Sequence, residues 1–393
     1  MKKKICIISL SQIDRDARVL RQIQYLSRQF DVTVIGFGKP HPDFENKPNV
    51  RWITVDNSKT PLLVAFGLLS LGKFRPLAYE KWYWRKRTHV QAFQKALAYK
   101  CDGYHANEWN ALPLSVEAAR LNHSKVVFDA HEYTPGQYES ADFLRRWLMP
   151  DAILYLFRKY FPALDASIAA VPGIAELYKD EFNIDPMVVF NAPDRINFLS
   201  NNNGPNPDQI QMVHHGVAKR DRYLETMVET ISLCDKRFHL HFMLVQHDPG
   251  YRDDLKRLSG KIAPGRVTFH DPIPPEKIVS EISQYDMGFY LLQPTDLNKK
   301  ITIPNKLFDF INAGLAVCVG PSPSMAEVVN RYGLGCVAPT FQPYEVAETL
   351  NKLEMKDLLR MKEAARKASN QFNAENEMSK VVKLYGRLFG KSE

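Results

Sequence analysis

The residues whose types and spacing best suit chemistry lie between Ile303 and Gly320, which read IPNKLFDFINAGLAVCVG. Pro304 suits the first position of a helix, where its missing N–H is not needed. A helix starting there presents free backbone amides and the positive end of its dipole, an arrangement that holds anions such as phosphate. Asn305 and Lys306 sit in that first turn, and Lys306 adds a mobile positive charge. Asp309, about one turn on, could accept hydrogen bonds from a ribose diol. Gly314 is expected to end the helix before a buried strand. On spacing alone, an ordinary helix with solvated Lys306 and Asp309 fits equally well.

A second cationic cluster occurs in VHHGVAKRDRYLE, where Gly216 is expected to end a strand and Lys219, Arg220 and Arg222 follow in a turn. Planar guanidinium donors match the paired oxygens of a diphosphate and stay charged. A solvated charge run is the alternative. In the first half of the chain, His131 and Glu132 follow the apolar run KVVFDA, and His105, Asn107 and Glu108 lie in YHANEW at the end of a shorter run. Residues so placed project from the carboxyl ends of buried strands. His131 could instead cap the next element, and one or more of His105, Asn107 and Glu108 could be structural. His105, Glu108, His131 and Glu132 are also of types that ligate zinc or manganese.

PNKLFDFINAGLAV resembles the PNKLFEYMAAGLPV pattern of glycosyltransferase family 4. DARVLRQIQYLSRQFDVTVIG, YHANEW, VVFDAHE, VPGIAELY and VVFNAPD stand in the order that family shows, so the resemblance runs from about Lys3 to Ala338. It implies a GT-B fold and transfer of a sugar from a nucleotide donor to a glycan or lipid-linked acceptor, usually with retention, of the kind used in making cell-surface polysaccharide. By the same resemblance His131 touches the donor sugar and helps stabilise the transition state. Gly216, Lys219, Arg220, Arg222, Asn305 and Lys306 would hold the donor diphosphate, and Asp309 the ribose. Ile273, in the loop HDPIP, would contact the base. Asp14, His105, Asn107, Glu108 and Glu132 would line the acceptor side. Because the related enzymes neutralise diphosphate with Arg, Lys and helix dipoles, neither a metal nor a cofactor is expected; the nucleotide sugar is a co-substrate.

Two departures from the family pattern stand out. Where many members carry a pair of glutamates in this loop and helix, this chain has Ile301 and Asp309, and the position after Gly216 is Val217 rather than Arg. A sugar-nucleotide epimerase on the same fold, or a binding protein that has lost catalysis, are the competing readings.

The elements that would position these residues follow from hydrophobic periodicity. Apolar runs rich in β-branched residues alternate with helical patterns along the whole chain, which predicts buried parallel sheets in an α/β architecture. A chain of 393 residues exceeds one hydrophobic core. The expected organisation is a Rossmann-like domain over 1–193, a linker over 194–209 crowded with Asn, Pro and Gly, and a second Rossmann-like domain over 210–371. A last helix, 372–393, would pack back on the first domain. Two such doubly wound domains facing across a cleft bind ligands at the carboxyl ends of their strands.

Composition narrows the partners. The formal charge of +8 and pI near 9.0 favour an anionic one. Nucleic acid is excluded as the main reading by the lack of zinc-knuckle spacing, RNP-like aromatics or a basic tail. Five scattered cysteines without a CxxC pair read as reduced thiols. The start MKKK runs into an apolar stretch too short for a signal peptide, so a cytoplasmic protein is expected. From Pro61 the sequence PLLVAFGLLSL is followed by Lys73, Arg75 and KWYWRKR, ending at Arg87. Basic residues interleaved with Trp and Tyr suit an anionic membrane surface, on which the protein would sit peripherally at the inner face. A core helix with a basic outer face is the alternative.

Overall fold

The computed structural model describes residues 2–58, 61–139, 141–196 and 205–390. It divides into two compact units, one of Met1–Asn191, Asp296–Asn298 and Glu377–Glu393, the other of Ala192–Thr295 and Lys299–Asn376. The divisions fall at 191 and 377, against the expected 193 and 372. Of the linker expected over 194–209, residues 197–204 lie outside the described residues.

The first unit opens with β1 (Lys4–Gln12), α1 (Ala17–Leu26), β2 (Asp31–Phe37), a short α2 (Pro42–Glu45) and β3 (Val50–Thr54). The apolar and basic stretch then forms three helices, α3 (Leu62–Gly72), α4 (Leu77–Arg85) and α5 (Arg87–Ala98). β4 (Gly103–Asn107), α6 (Glu108–Asn122), β5 (Lys125–Ala130) and α7 (Phe143–Tyr160) come next. β6 (Ala166–Ala169), α8 (Pro172–Phe182) and β7 (Met187–Val188) complete the sheet, whose order is β3-β2-β1-β4-β5-β6-β7, parallel throughout.

Ile5, Cys6, Ile7 and Ile8 of β1 are all fully buried, as a central strand covered by helices on both faces requires. α1 buries Val19, Ile23 and Leu26 on one side, each worth about 2 kcal/mol of apolar transfer. Its Asp16 caps the start by accepting from the Val19 amide. α6 begins at Glu108, directly after β4.

The second unit repeats the plan with β8 (Ile210–Ala218), α9 (Glu225–Leu233), β9 (Phe238–Gln246), α10 (Tyr251–Ile262) and β10 (Val267–His270). α11 (Ile278–Ile282), β11 (Met287–Tyr290), α12 (Leu297–Ile301), α13 (Asn305–Asn312) and β12 (Ala316–Val319) follow. α14 (Pro323–Tyr332), β13 (Gly335–Val337), α15 (Pro343–Asn351) and α16 (Met355–Ser369) lead to α17 (Ala374–Leu388). The sheet order β10-β9-β8-β11-β12-β13 places a topological switch point between β8 and β11, as the first sheet does between β1 and β4. From Glu377 onward α17 belongs to the first unit, where Tyr385 and Phe389 pack on Phe30.

Candidate functional site

Each switch point carries a polar cluster. In the second unit, Arg222 leaves the short turn after β8 and donates from Nη1 to the Tyr290 hydroxyl at the end of β11, at 2.8 Å. The Arg222 Nε is buried with no hydrogen-bond partner among the described residues. Lys306, in the first turn of α13, sets its ammonium 5.0 Å from the Tyr290 ring centroid. Burial and the neighbouring Arg222 push the Lys306 amine down to about 8, against the opposing pull of Asp309. Two cations side by side are costly unless an anion joins them.

Local structure explains the placement. Pro304 is the residue before the helix rather than its first member, with φ −69° and ψ 147°, and no side chain caps the amides that follow. Those amides open beside Lys306. Gly216 does not end its strand: β8 continues to Ala218, pairing with β9. The glycine is required for another reason, because its φ is +127° and a Cβ there would lie 2.6 Å from Lys306 Cε. At the far end of α13, Gly314 adopts φ +69° and donates to the Ile311 carbonyl, so the helix stops where expected.

Other expected contacts are distributed differently. Lys219 pairs with Asp221 at 2.9 Å, and Arg220 pairs with Asp254 on α10 at 2.5 Å while stacking on Tyr251. Local carboxylates therefore hold both cations away from Lys306, and only Arg222 of that cluster reaches it. Asn305 is exposed at the start of α13. Asp309 faces His215, whose Nε2 stands 3.4 Å from its Oδ2. Ile273, half-buried, follows β10, the edge strand, with β9 between that strand and β8.

In the first unit, His131 follows β5. Its backbone amide donates to Glu108 Oε1 at 2.7 Å, and its Nε2 lies 3.0 Å from Asn107 Oδ1. Asn107 spends its amide NH₂ on Gln22, so its oxygen accepts and His131 Nε2 carries the proton. Burial, with Arg18 nearby, lowers the His131 pKa despite Asp129, which leaves a neutral ring with a free Nδ1 lone pair.

Asp129 lies beneath. Although burial alone would raise its pKa, Arg18 beside it holds the carboxyl well below the usual carboxylate range. Arg18 clamps it with bonds of 2.8 Å and 2.6 Å, and Gln22 adds a third at 2.5 Å.

Glu108 has a left-handed backbone, φ 66°. Burial, then repulsion from Glu132, pushes its carboxyl up to about 8. Strain of this kind costs about 1–3 kcal/mol and persists where the surroundings enforce it.

The other residues expected on the acceptor side have different surroundings. His105 is fully buried, not lining an open site: its Nδ1 meets the Tyr385 hydroxyl at 3.0 Å and its Nε2 stands 3.6 Å from Asp129. Glu132 is exposed and accepts from Gln137. Asp14, in the turn after β1, keeps a buried Oδ1 without a partner among the described residues. Among the described residues no three His, Cys, Asp or Glu side chains gather as a metal site. Tyr290, His215, Arg18, Gln22 and Asp129 escaped notice in the sequence. Asp129 inside the apolar run KVVFDA and the histidine pair in VHHG were the available signals, since buried polar groups demand partners.

Residues 17–194 match the Glycosyltransferase Family 4 profile. No curated protein sequence matches the chain. Among solved structures, HepE from Anabaena in complex with UDP and glucose has a TM-score of 0.70 at 14% identity, covering 98% of this chain and 100% of its own. Sucrose-phosphate synthase from Thermosynechococcus elongatus has a TM-score of 0.73 at 15% identity, with 100% of both chains covered. The α,α-trehalose 6-phosphate synthase from Burkholderia multivorans gives 0.67 at 11% identity, again over 100% of both chains. Residues 17–194 thus match Glycosyltransferase Family 4, and the chain has the two-domain GT-B fold of these neighbours.

Proposed function

We propose that the protein transfers a glycosyl group from a nucleotide diphosphate sugar, of the UDP-sugar class, to a glycan or lipid-linked acceptor. The observation that carries this reading is the pair Arg222 and Lys306 around Tyr290, two cations at the β8/β11 switch point beside uncapped helix amides. The HepE structures in complex with UDP and with UDP-glucose support a uridine donor. In the transfer, the bond between the anomeric carbon and the diphosphate breaks and a bond to an acceptor hydroxyl forms. The acceptor proton passes to the departing phosphate, and retention of configuration is the expected outcome.

Arg222, Lys306 and the first amides of α13 would meet the charge that develops on the diphosphate, a fixed electrostatic contribution. Asp309 would bind ribose, with His215 orienting it, and Ile273 would contact the base. Neutral His131 would hold the transferred sugar, its orientation fixed through Asn107. The exposed apolar side chains of α3 and α7, with basic neighbours, favour a cytoplasmic protein resting on an anionic membrane and a role in cell-surface polysaccharide synthesis.

Calorimetric titration with UDP, GDP and ADP, then with their sugars, tests the donor site. Binding of one nucleotide that weakens about tenfold or more in both Lys306→Ala and Arg222→Ala is expected. If no nucleotide binds the wild-type protein, the reading is wrong.

A further inference from the structure

The first unit carries an open cavity of ≈ 1050 Å³. Leu10 near the end of β1, Phe37 at the end of β2, and Trp109 and Asn110, directly after Glu108, contribute to its wall, so it opens at the carboxyl edge of the sheet. The rest is largely apolar: Phe66 and Leu69 of α3, Trp82 of α4 and Leu148 of α7. Its size matches the upper end of small-ligand pockets and exceeds what one sugar ring would fill.

Several polar groups of the wall are spent, while the Asn110 Oδ1 is buried without a hydrogen-bond partner among the described residues. Ser58 and Thr88 bond each other at 3.1 Å, Thr88 donates to the Asp56 carbonyl, and His89 is tied to the Tyr83 carbonyl. Arg145 pairs with Asp142. Lys86 differs. Its amine lies 4.3 Å from the Trp82 ring and 5.2 Å from the Trp109 ring, which stack on one another with 9° between their planes. Among the described residues no carboxylate pairs with it, and burial pushes its pKa down to about 8. An anion beside Lys86 would replace the hydration that the amine has lost.

Part of the cavity's lining is apolar and exposed. Leu63 is 87% exposed, Phe66 44% and Leu144 50%, and Phe74 and Phe143 extend the patch along α3 and α7. Side chains of this size are left in water where another apolar phase covers them. A largely apolar cavity with one cation that no carboxylate pairs and an exposed apolar lining fits an amphiphile better than a saccharide, which would need more free hydrogen-bonding groups than Lys86 and Asn110 supply.

We propose that this cavity holds a single-chain lipid phosphate, its phosphate at Lys86 and its chain leaving between α3 and α7 past Leu63 and Leu144. The lipid is the acceptor or carries it. This rests on the transferase reading above and names the chemical class of its acceptor.

Farnesyl phosphate below its aggregation concentration is the probe, followed by tryptophan fluorescence, since Trp82 and Trp109 form part of the wall. A saturable change is expected, with affinity about tenfold or more weaker for farnesol and no saturable change with inorganic phosphate. Lys86→Met and the cavity-filling Ala65→Phe should each weaken farnesyl phosphate about tenfold or more, with circular dichroism confirming that they fold. If Lys86→Met does not fold, Ala65→Phe decides. The proposal is overturned if farnesyl phosphate gives no saturable change, if the folded variants bind it as wild type does, or if only phosphatidylglycerol vesicles elicit a response. UDP binding, measured on the same samples, separates the two readings: loss of lipid binding with UDP binding intact removes this proposal alone.

Discussion

Lys306 holds its ammonium over the face of Tyr290, 5.0 Å from the ring centroid, while Arg222 bonds the hydroxyl of that same ring. One tyrosine thus gathers two like charges that would otherwise repel. The ring's negative face offsets part of the cost, about 0.5–2 kcal/mol. The rest remains until an anion binds, so the site trades stability for affinity. Lys306→Met should raise the melting temperature of the free protein by about 2 °C or more and weaken nucleotide diphosphate binding about tenfold or more. A variant that melts earlier and binds as wild type would show that Lys306 is structural.

The same cation sets a pH dependence. A nucleotide diphosphate binds the protonated amine more tightly, so binding raises the Lys306 pKa from about 8 and takes up a proton where the free amine is neutral. Affinity should therefore hold below pH 8 and fall above it, by up to about tenfold per pH unit until the bound form also titrates. Calorimetry at pH 9 in buffers of different ionisation enthalpy should register that uptake, and Lys306→Arg should abolish it.

These charges show where sequence reading succeeds and where it stops. Strand and helix alternation was legible because buried parallel strands such as Ile5–Ile8 and Ala316–Val319 are uninterrupted apolar runs. The α13 segment was legible for a similar reason, since Pro304 and Gly314 mark a helix locally. Partner choice was not. Lys219, Arg220 and Arg222 look equivalent in the sequence, yet Asp221 and Asp254 neutralise the first two. His105 reads as a strand-end ligand until α17, distant in the chain, brings Tyr385 against it. Gly216 marks a close approach by Lys306, not the end of a strand. Apart from the Lys219–Asp221 pair, each of these depends on a contact between segments far apart in the sequence, which local propensity does not encode.

Beneath His131, the Arg18–Asp129 pair predicts a separation of stability from activity. Both partners are buried, and removing one leaves the other charge uncompensated. Arg18→Met should cost about 3–5 kcal/mol in urea unfolding. His131→Ala, at a part-exposed ring, should cost about 1 kcal/mol. Its transfer rate should nevertheless fall on the order of a hundredfold. Equal losses of stability in the two variants would place His131 in the scaffold rather than against the sugar.

Glu108 gives the clearest link between strain and protonation. Its carboxyl titrates near 8 when folded and near 4.5 when the chain is unfolded. The unfolded state therefore releases the proton first as pH rises. Stability contributed by the protonated acid is fully present below 4.5, declines between there and 8, and is gone above. The slope is at most about 1.4 kcal/mol per pH unit. Glutamine keeps the oxygen that accepts from the His131 amide and does not ionise, so Glu108→Gln should gain stability relative to wild type from pH 5 to pH 8 and no further beyond. Parallel melting curves for the two proteins across that range would reveal it. Parallel curves with a constant offset would mean that Glu108 is already ionised, and that its left-handed backbone serves packing rather than holding a proton beside His131.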